Sequence, residues 1–262
     1  MNETQIEGLA DEVISAFGLS APIDLERIAR EEGIQLAEGD YGDEFHGRIE
    51  YLAEVEAFVV YHPRYVTNHY PSRVRFSIGH EFGHFYIPHH REILIKGKAH
   101  YSLEGFRHKN EIERQADMFA AALLIPSRLL RERMGRRGFL GLSQILRLAD
   151  DCKASAQATA FRYTRFTKEP HLALVSENGN VLYGFASEEA RAWGFWRLRD
   201  FAVPVGSATS RTIAAIGIVE DKTEVGIWFP ERGTHAELWE EAVQLGGSTR
   251  VLTLLSWSNY GK

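Results

Sequence analysis

Cysteine, basic charge and long apolar runs are all scarce in this sequence. One cysteine among 262 residues, Cys152, excludes an intrachain disulfide and a thiolate-rich zinc site. Aspartate and glutamate outnumber lysine and arginine by 36 to 30, so overall charge gives no case for binding nucleic acid or an anionic membrane. No apolar run approaches the ~20 residues that span a bilayer, and the start lacks the basic and hydrophobic regions of a signal peptide. We therefore expect a cytoplasmic protein with no membrane partner.

The most informative stretch is the HExxH pattern formed by His80, Glu81 and His84. Residues four apart on a helix stand one turn above each other, with Cβ atoms about 6 Å apart, so both histidines can bind one metal ion. Two neutral imidazoles hold a divalent cation, and a carboxylate beside the open coordination position takes the proton from a bound water. The pattern predicts a metal-dependent hydrolase with Glu81 as the general base.

The segment around this motif is predicted to be helical. Pro71 suits a first helical position, Pro88 ends the run, and an apolar stripe recurs at helical spacing between them. The members of the stripe are Val74, Ile78, Phe82 and Phe85. Gly79 and Gly83 each cost about 1 kcal/mol against alanine inside a helix, which indicates that another element approaches closely there. That element could bring a third ligand.

Two residues compete for the position of third ligand. His90 follows His84 by six residues, as the third histidine of a metzincin does, but the glycine that such a turn needs midway is missing. Glu113 is favoured instead. It lies in a second predicted helix whose small residues fit against the two glycines of the first.

The second helix has its own boundary signals. Asn110 is a candidate N-cap and Pro126 a terminator, so a capping box with Asn110 is the alternative role of Glu113. Asp117 lies one turn after Glu113 and could accept the ring N–H of a ligand histidine, the alternative being a surface charge. A tyrosine or a protonated histidine could stabilise the oxyanion. The sequence does not choose among the candidates between the helices, which are Tyr86, His89, His90, His100, Tyr101 and His108.

The two motifs together carry a family resemblance. HEFGH at 80–84, followed some thirty residues later by E-x-x-A-D at 113–117, resembles the ImmA/IrrE family of bacterial zinc-dependent peptidases over roughly residues 5–130. The resemblance implies a gluzincin-like endopeptidase with His80, His84 and Glu113 as metal ligands and Glu81 as general base. Zinc is the expected ion and manganese the alternative. Asp117 departs from the asparagine that is usual in the family.

The resemblance also implies a substrate, namely a helix-turn-helix transcriptional repressor whose cleavage relieves repression of stress-response or mobile-element genes. No repressor-specific pocket is evident in the sequence. The alternative is a non-proteolytic, metal-binding transcriptional regulator that acts through a helix-turn-helix of its own. A general aminopeptidase is a third hypothesis, but no acidic cluster marks an amine-binding site.

Two short predicted helices, 142–149 and 155–163, resemble such a helix-turn-helix. An arginine-rich stretch precedes them and comprises Arg128, Arg131, Arg133, Arg136 and Arg137. The second helix begins with Ala156, Gln157 and Thr159, which offer few groups for phosphates or guanine edges. We therefore expect a scaffold or substrate-docking role, and DNA binding has no support from these residues.

The patterns predict an α+β fold in three parts. Residues 1–126 would form a mainly helical zinc-peptidase-like domain with a small antiparallel sheet at 47–52 and 57–61. Residues 127–168 would form the helix-turn-helix-like segment, and residues 169–262 an α+β domain with a sensory or regulatory role by analogy. Within that last part, Asn178-Gly179 predicts a hairpin, 225–229 and 251–255 predict strands, and Thr234 with Glu237 predicts a capped helix.

Overall fold

The structure is a computed structural model that describes residues 1–40, 47–64, 71–97, 106–196, 198–212, 215–232, 235–246 and 249–257, without the side chains of 106–110 and 137. The chain divides into two compact units. One comprises Met1–Ser127 with Asp151–Ser155, and the other comprises Arg128–Asp150 with Ala156–Lys262. Both helices and sheets are present throughout, so the predicted α+β class is confirmed. The division into three parts at 1–126, 127–168 and 169–262 stays a prediction.

The first unit combines helices with a small sheet. Its elements are α1 (Glu3–Ala16), α2 (Leu25–Glu32), β1 (Gln35–Gly39), β2 (Arg48–Leu52), β3 (Ala57–Pro63), α3 (Pro71–Tyr86), α4 (Pro88–Ile95) and α5 (Phe106–Leu124). The sheet order is β1-β3-β2. Strand β3 runs parallel to β1 and antiparallel to β2, so the predicted antiparallel pair is confirmed.

Capping side chains set the start of the first two helices. Asn2 and Gln5 form a capping box at the start of α1, and the Asp24 side chain accepts the backbone N–H of Arg27 at the start of α2. Gly33 ends α2 with a φ of 67°, a left-handed conformation that glycine adopts without steric cost. These contacts hold the outer helices of the unit in place.

The motif helix α3 begins at Pro71 and ends before Pro88, as predicted. Its apolar stripe is buried, with Phe82 fully so. Small residues allow α5 to approach its other side: a Cβ on Gly79 would lie 3.4 Å from the Cβ of Ala120, and a Cβ on Gly83 would lie 2.9 Å from the Cα of Ala116. The close approach predicted from the two glycines is thereby confirmed.

One local prediction in this unit is wrong. Helix α5 begins at Phe106, so Asn110 lies inside the helix and cannot be its N-cap. An N-cap residue has a non-helical backbone, which a residue in the second turn does not have. The capping-box alternative for Glu113 is removed with it. Helix α4, which follows Pro88 directly, has no counterpart among the predicted elements.

The elements that follow are α6 (Ser127–Met134), α7 (Leu142–Cys152), α8 (Ala156–Phe166), β4 (His171–Glu177), β5 (Asn180–Ala186), α9 (Glu188–Ala192), β6 (Phe201–Ala202), α10 (Ala208–Arg211), β7 (Ile218–Glu224), α11 (Val225–Trp228), β8 (Glu237–Gln244) and β9 (Arg250–Trp257). The described strands of the second unit form an antiparallel sheet of order β6-β5-β4-β9-β8-β7. Among the described residues, no helix is both long and apolar enough to cross a membrane.

The hairpin prediction in the second unit is confirmed. Asn178 and Gly179 have φ of 51° and 78° and connect the antiparallel strands β4 and β5. Primed hairpin turns require such positive angles, which asparagine and glycine tolerate best. The strand predicted at 251–255 is also confirmed, since it lies within β9.

Two other predictions in the second unit are wrong. The residues of 225–229 were expected as a strand, but Val225–Trp228 forms the short helix α11, which buries both of its end residues. The helix expected after Thr234 is instead strand β8, in which Leu238, Glu240 and Ala242 alternate as fully buried residues. Pairing with β7 and β9 on both edges overrides the helical preference of this glutamate-rich segment. Thr234 itself lies outside the described residues.

Candidate metal centre

Helices α3 and α5 bring three potential metal ligands together. His80 and His84 lie one turn apart on α3, and Glu113 lies on α5. The Oε2 atom of Glu113 is 3.2 Å from Nε2 of His80 and 3.9 Å from Nε2 of His84. The two Nε2 atoms are 3.0 Å apart. In the part of the chain that the structure describes, these residues form a group whose ligand atoms all lie within 4.8 Å of one another.

The spacing and chemistry of this group fit a divalent cation. In a tetrahedral site with bonds of about 2.0–2.1 Å, the donor atoms lie about 3.4 Å apart. The observed separations of 3.0, 3.2 and 3.9 Å bracket that value. Two imidazole nitrogens at such a distance repel each other unless a proton or a cation lies between them. His80, His84 and Glu113 could therefore hold a metal ion, and two imidazoles with one carboxylate suit zinc without excluding other divalent ions.

Asp117 supports the first histidine from α5. Its Oδ1 lies 2.8 Å from Nδ1 of His80. Because a carboxylate only accepts, Nδ1 of His80 carries the proton and donates it, which leaves Nε2 directed at the cluster. Asp117 is 56% exposed, so it is a surface charge and a partner of the ligand candidate at the same time. The sequence offered these two roles as alternatives, and the geometry combines them.

The local field favours positive charge at the cluster. Burial lowers the pKa of His80, but hydrogen bonds to Asp117 and Glu113 and the charge of Glu81 outweigh burial and raise this pKa to about 10. Asp117, Glu113 and Glu81 thus favour positive charge on the His80 ring. A bound cation takes the place of a proton there, so metal binding must release protons.

Glu81, the predicted general base, lies on α3 beside His80 and is only 7% exposed. The residue that covers it is Gly47, directly before β2: a Cβ built on Gly47 would lie 3.3 Å from Oε1 of Glu81. Sequence reasoning did not single out Gly47. In a sequence, a lone glycine ahead of a strand does not indicate a contact with a residue 34 positions later. The contact between Gly47 and Glu81 is evident only from the structure.

The remaining histidine and tyrosine candidates lie elsewhere or outside the description. The His90 ring lies 5.1 Å from the His84 ring between centroids, but its Nε2 is 3.1 Å from Oε1 of Gln115 and so contacts that amide. The hydroxyl of Tyr86 donates to Glu32 at 3.0 Å, which removes it as a free oxyanion donor. Burial is the main cause that lowers the pKa of His89. His100, Tyr101 and the side chain of His108 lie outside the described residues.

Helices α7 and α8 lie at the two positions predicted for a helix-turn-helix, and α8 packs against the sheet of its own unit. Nε2 of Gln157 donates to the hydroxyl of Tyr183 at 3.0 Å. The rings of Phe161 and Phe185 lie 4.2 Å apart between centroids, and Thr159 is fully buried. The side chains that a recognition helix would present to bases are therefore occupied by contacts within the protein.

Fold and residue cluster define a class: α+β proteins that carry HExxH on one helix and an acidic third residue on the helix packed against it. Comparison with known proteins then gives the family. A peptidase-family model described as the IrrE N-terminal-like domain matches residues 64–164. Residues 64–164 are therefore similar to the ImmA/IrrE family, in agreement with the resemblance that the motifs indicated.

A curated relative is similar over part of the chain. The radiation response metalloprotease IrrE of Deinococcus radiodurans is 30% identical over 109 residues, which cover 42% of this chain and 32% of the relative. The chain thus spans about a third of the length of the curated relative that it matches. Activity, substrate and partners of the whole protein do not follow from a match of this extent.

A solved structure resembles nearly the whole chain. A Mycobacterium tuberculosis transcriptional regulator has a TM-score of 0.65, with 98% of this chain and 77% of that chain covered. The sequence identity is 15%, so the likeness is one of fold. The α+β architecture is therefore found in a second protein, and nothing about chemistry is transferred from it.

Proposed function

We propose that this protein is a metal-dependent endopeptidase that cleaves a protein substrate. The observation that supports the proposal most strongly is the convergence of His80, His84 and Glu113 on one point, with donor separations of 3.0–3.9 Å. Similarity of residues 64–164 to the IrrE N-terminal-like domain supports it independently. The proposed ligands are these three residues, with zinc as the ion and manganese as the alternative.

A divalent cation held there would supply a Lewis acid that lowers the pKa of a coordinated water towards about 7 and polarises the scissile carbonyl. Glu81 accepts the proton of the attacking water and passes it to the leaving amine. Asp117 keeps the His80 ring in the tautomer that presents Nε2 to the cation. Burial of Glu81 limits contact of the general base with bulk water.

The proposed substrate is a helix-turn-helix transcriptional repressor, whose cleavage would relieve repression of stress-response or mobile-element genes. Family resemblance supports this step, and the name of the Deinococcus relative, a radiation response metalloprotease, is consistent with it. A repressor substrate would place the activity in the cytoplasm. The second unit would then dock or sense a partner, a role that rests on analogy alone.

The packing of α8 argues against the alternative, a non-proteolytic regulator that acts through its own helix-turn-helix. Gln157 and Phe161 would have to leave Tyr183 and Phe185 before they could enter a major groove. The net charge of −6 adds electrostatic repulsion from DNA. A peptidase that recognises a protein substrate requires neither change.

The variant Glu81→Gln tests the proposal, with Glu12→Gln on the exposed face of α1 as the matched control. Each metal-loaded protein is incubated with purified helix-turn-helix repressors, and products are identified by mass spectrometry. Wild type and Glu12→Gln should cleave, whereas Glu81→Gln should bind metal equally well and cleave about 10²–10⁴-fold more slowly. Undiminished cleavage or a full biological effect with Glu81→Gln would show that the peptidase proposal is wrong.

A further inference from the structure

We propose that Gly47 is a positioning residue for Glu81: its lack of a side chain lets the backbone ahead of β2 lie against the carboxylate and fix where that carboxylate points. The proposal rests on the proposed role of Glu81 as general base. It adds a residue directly before the small sheet to a site otherwise built from α3 and α5. The backbone ahead of β2 thereby contacts the carboxylate that is proposed to react.

The geometry leaves no room for a side chain at this position. A Cβ built on Gly47 would lie 3.3 Å from Oε1 of Glu81, 3.5 Å from Cγ of Glu81 and 3.3 Å from Cβ of Ser77. The two distances of 3.3 Å are shorter than ordinary van der Waals contacts between a methyl group and its neighbours, about 3.5–4.0 Å. Ser77 and Glu81 lie one turn apart on α3, so the missing methyl group would be wedged between two successive turns.

The two sides of this wedge differ in how far they can move. Cβ of Ser77 is attached directly to the helix backbone, which the packing of α3 against α5 holds in place. The Glu81 carboxylate is the far end of a flexible side chain. An added methyl group at position 47 would therefore displace the carboxylate by a few tenths of an ångström, because rotation of that side chain is the easiest relaxation.

The strand cannot easily lift away to relieve the contact. Ile49, two residues after Gly47, is 2% exposed. The rings of Tyr51 and Phe58 lie 5.0 Å apart between centroids, and Phe58 lies 5.0 Å from Phe85 of α3 in an edge-to-face arrangement. These aromatic contacts anchor β2 and β3 on the same helix that carries Glu81. Gly47 is thus held over the carboxylate by the core of the unit.

The first test compares Gly47→Ala with Gly8→Ala, a substitution on α1 whose added Cβ meets nothing within 4 Å. Displacement of a reacting group by about 1 Å costs up to about 10²-fold in rate, so a few tenths should lower kcat about tenfold. KM and metal content should match those of Gly8→Ala under conditions in which both variants are fully folded; the unfolding midpoints should differ, because Gly8→Ala gains helix propensity and Gly47→Ala is crowded. A kcat within twofold of the control, or a kcat that falls only together with metal content, would overturn the proposal.

The second test separates positioning from general structural damage. Glu81→Asp withdraws the carboxylate by one methylene group, so the methyl of Gly47→Ala should no longer press on it. The effect of Gly47→Ala on kcat should shrink from about tenfold to under twofold in the Glu81→Asp background. Equal losses in both backgrounds would mean that Gly47 acts without Glu81, which contradicts the assignment.

The outcomes also distinguish this proposal from the proposed function. If Glu81→Gln cleaves as fast as wild type, the peptidase function itself fails. If Glu81→Gln is inactive with full metal content while Gly47→Ala retains the kcat of Gly8→Ala, the peptidase function stands and only the role of Gly47 is lost.

Discussion

Buried ionisable groups occur in both units, but their surroundings differ. In the second unit, Glu240 is fully buried and accepts hydrogen bonds from the backbone N–H and the hydroxyl of Thr209 and from the indole N–H of Trp228. In the first unit, the candidate ligand atoms of His80, His84 and Glu113 point at one another at 3.0–3.9 Å. One arrangement is complete with protein donors, and the other has the ligand atoms that could hold a cation.

This difference distinguishes charged residues that stabilise the fold from charged residues that could bind a ligand. A buried carboxylate surrounded by donors stabilises a single packing arrangement, because moving it would leave each donor without an acceptor. Imidazole and carboxylate acceptors gathered at one point repel one another until a proton or a metal ion joins them. Burial of a charged residue alone therefore does not indicate a site, whereas convergence of acceptors does.

The largest effect is expected for Glu240→Ala. The truncation leaves the backbone N–H of Thr209 and the indole N–H of Trp228 buried without this acceptor, at a cost of about 1–3 kcal/mol each, while the Thr209 hydroxyl keeps Thr253 as a partner. The free energy of unfolding of the full chain should fall by about 2–6 kcal/mol, measured by denaturant titration. The exposed Glu237→Ala on the same strand should change it by less than about 0.5 kcal/mol. Loss of metal binding by folded Glu240→Ala would contradict the separation of the two roles.

The next largest effect is a pH dependence carried by His171. Nδ1 of this buried ring lies 3.2 Å from the Glu169 carbonyl, to which it donates, and Nε2 lies 3.2 Å from the Tyr163 hydroxyl, whose proton it accepts. The neutral ring is thereby satisfied, and burial lowers the pKa of His171 from 6.5 to about 4. Between these values the unfolded chain binds more protons, so stability should fall as pH drops from 6.5 to 4.

Since each pKa unit corresponds to about 1.4 kcal/mol, the full loss from this ring is about 3 kcal/mol. Denaturant titrations of wild type and His171→Gln at several pH values between 7 and 4 measure it. The variant should be less stable at pH 7 but should lose less stability on acidification. Parallel pH profiles for the two proteins would show that His171 does not carry this dependence.

A pair of glycine substitutions tests the packing that creates the metal centre. Gly83→Ala places a Cβ 2.9 Å from Cα of Ala116, so α3 and α5 must separate, with a loss of about 1–3 kcal/mol and weaker metal binding. Gly79→Ala meets Ala120 at 3.4 Å, an ordinary contact, and gains up to about 1 kcal/mol of helix propensity. Unfolding midpoints and metal titrations measure both. Equal behaviour of the two variants would refute the difference in packing.

The smallest effect is expected at Asp117. Removal of the carboxylate in Asp117→Ala frees the His80 ring to rotate and should weaken metal affinity by about 10–100-fold. Asp117→Asn retains an oxygen that accepts Nδ1–H and should weaken affinity less. Competition with a chromogenic chelator measures both constants. An unchanged metal affinity of the Asp117→Ala variant would show that Asp117 is a surface charge without a role in metal binding.

Sequence reasoning reached the site through local signals. Two prolines bound α3, the interval of four placed His80 and His84 on one face, and the paired glycines indicated the approach of α5. These features depend on spacing within one or two helices, so a pattern of residues reports them directly. Glu113 was predicted as the third metal ligand because the small residues of its helix fit against Gly79 and Gly83.

The remaining features depend on contacts between distant parts of the chain. Gly47 faces Glu81, and Glu240 meets Thr209 and Trp228, only after the sheets have formed. The segment around Val225 has the composition of a strand, yet the burial of Trp228 and its hydrogen bond to Glu240 favour a helical turn. Helix and strand propensities describe the local preference of a segment. Where tertiary contacts favour a different secondary structure, the segment adopts the one that those contacts favour.

The most direct test of the central claim is the metal stoichiometry of the full chain, determined for wild type and Glu113→Gln by titration followed by elemental analysis after dialysis. Convergence of His80, His84 and Glu113 on one cation predicts one divalent ion per wild-type chain and none retained by folded Glu113→Gln. Retention of one ion with wild-type affinity by Glu113→Gln would contradict the account.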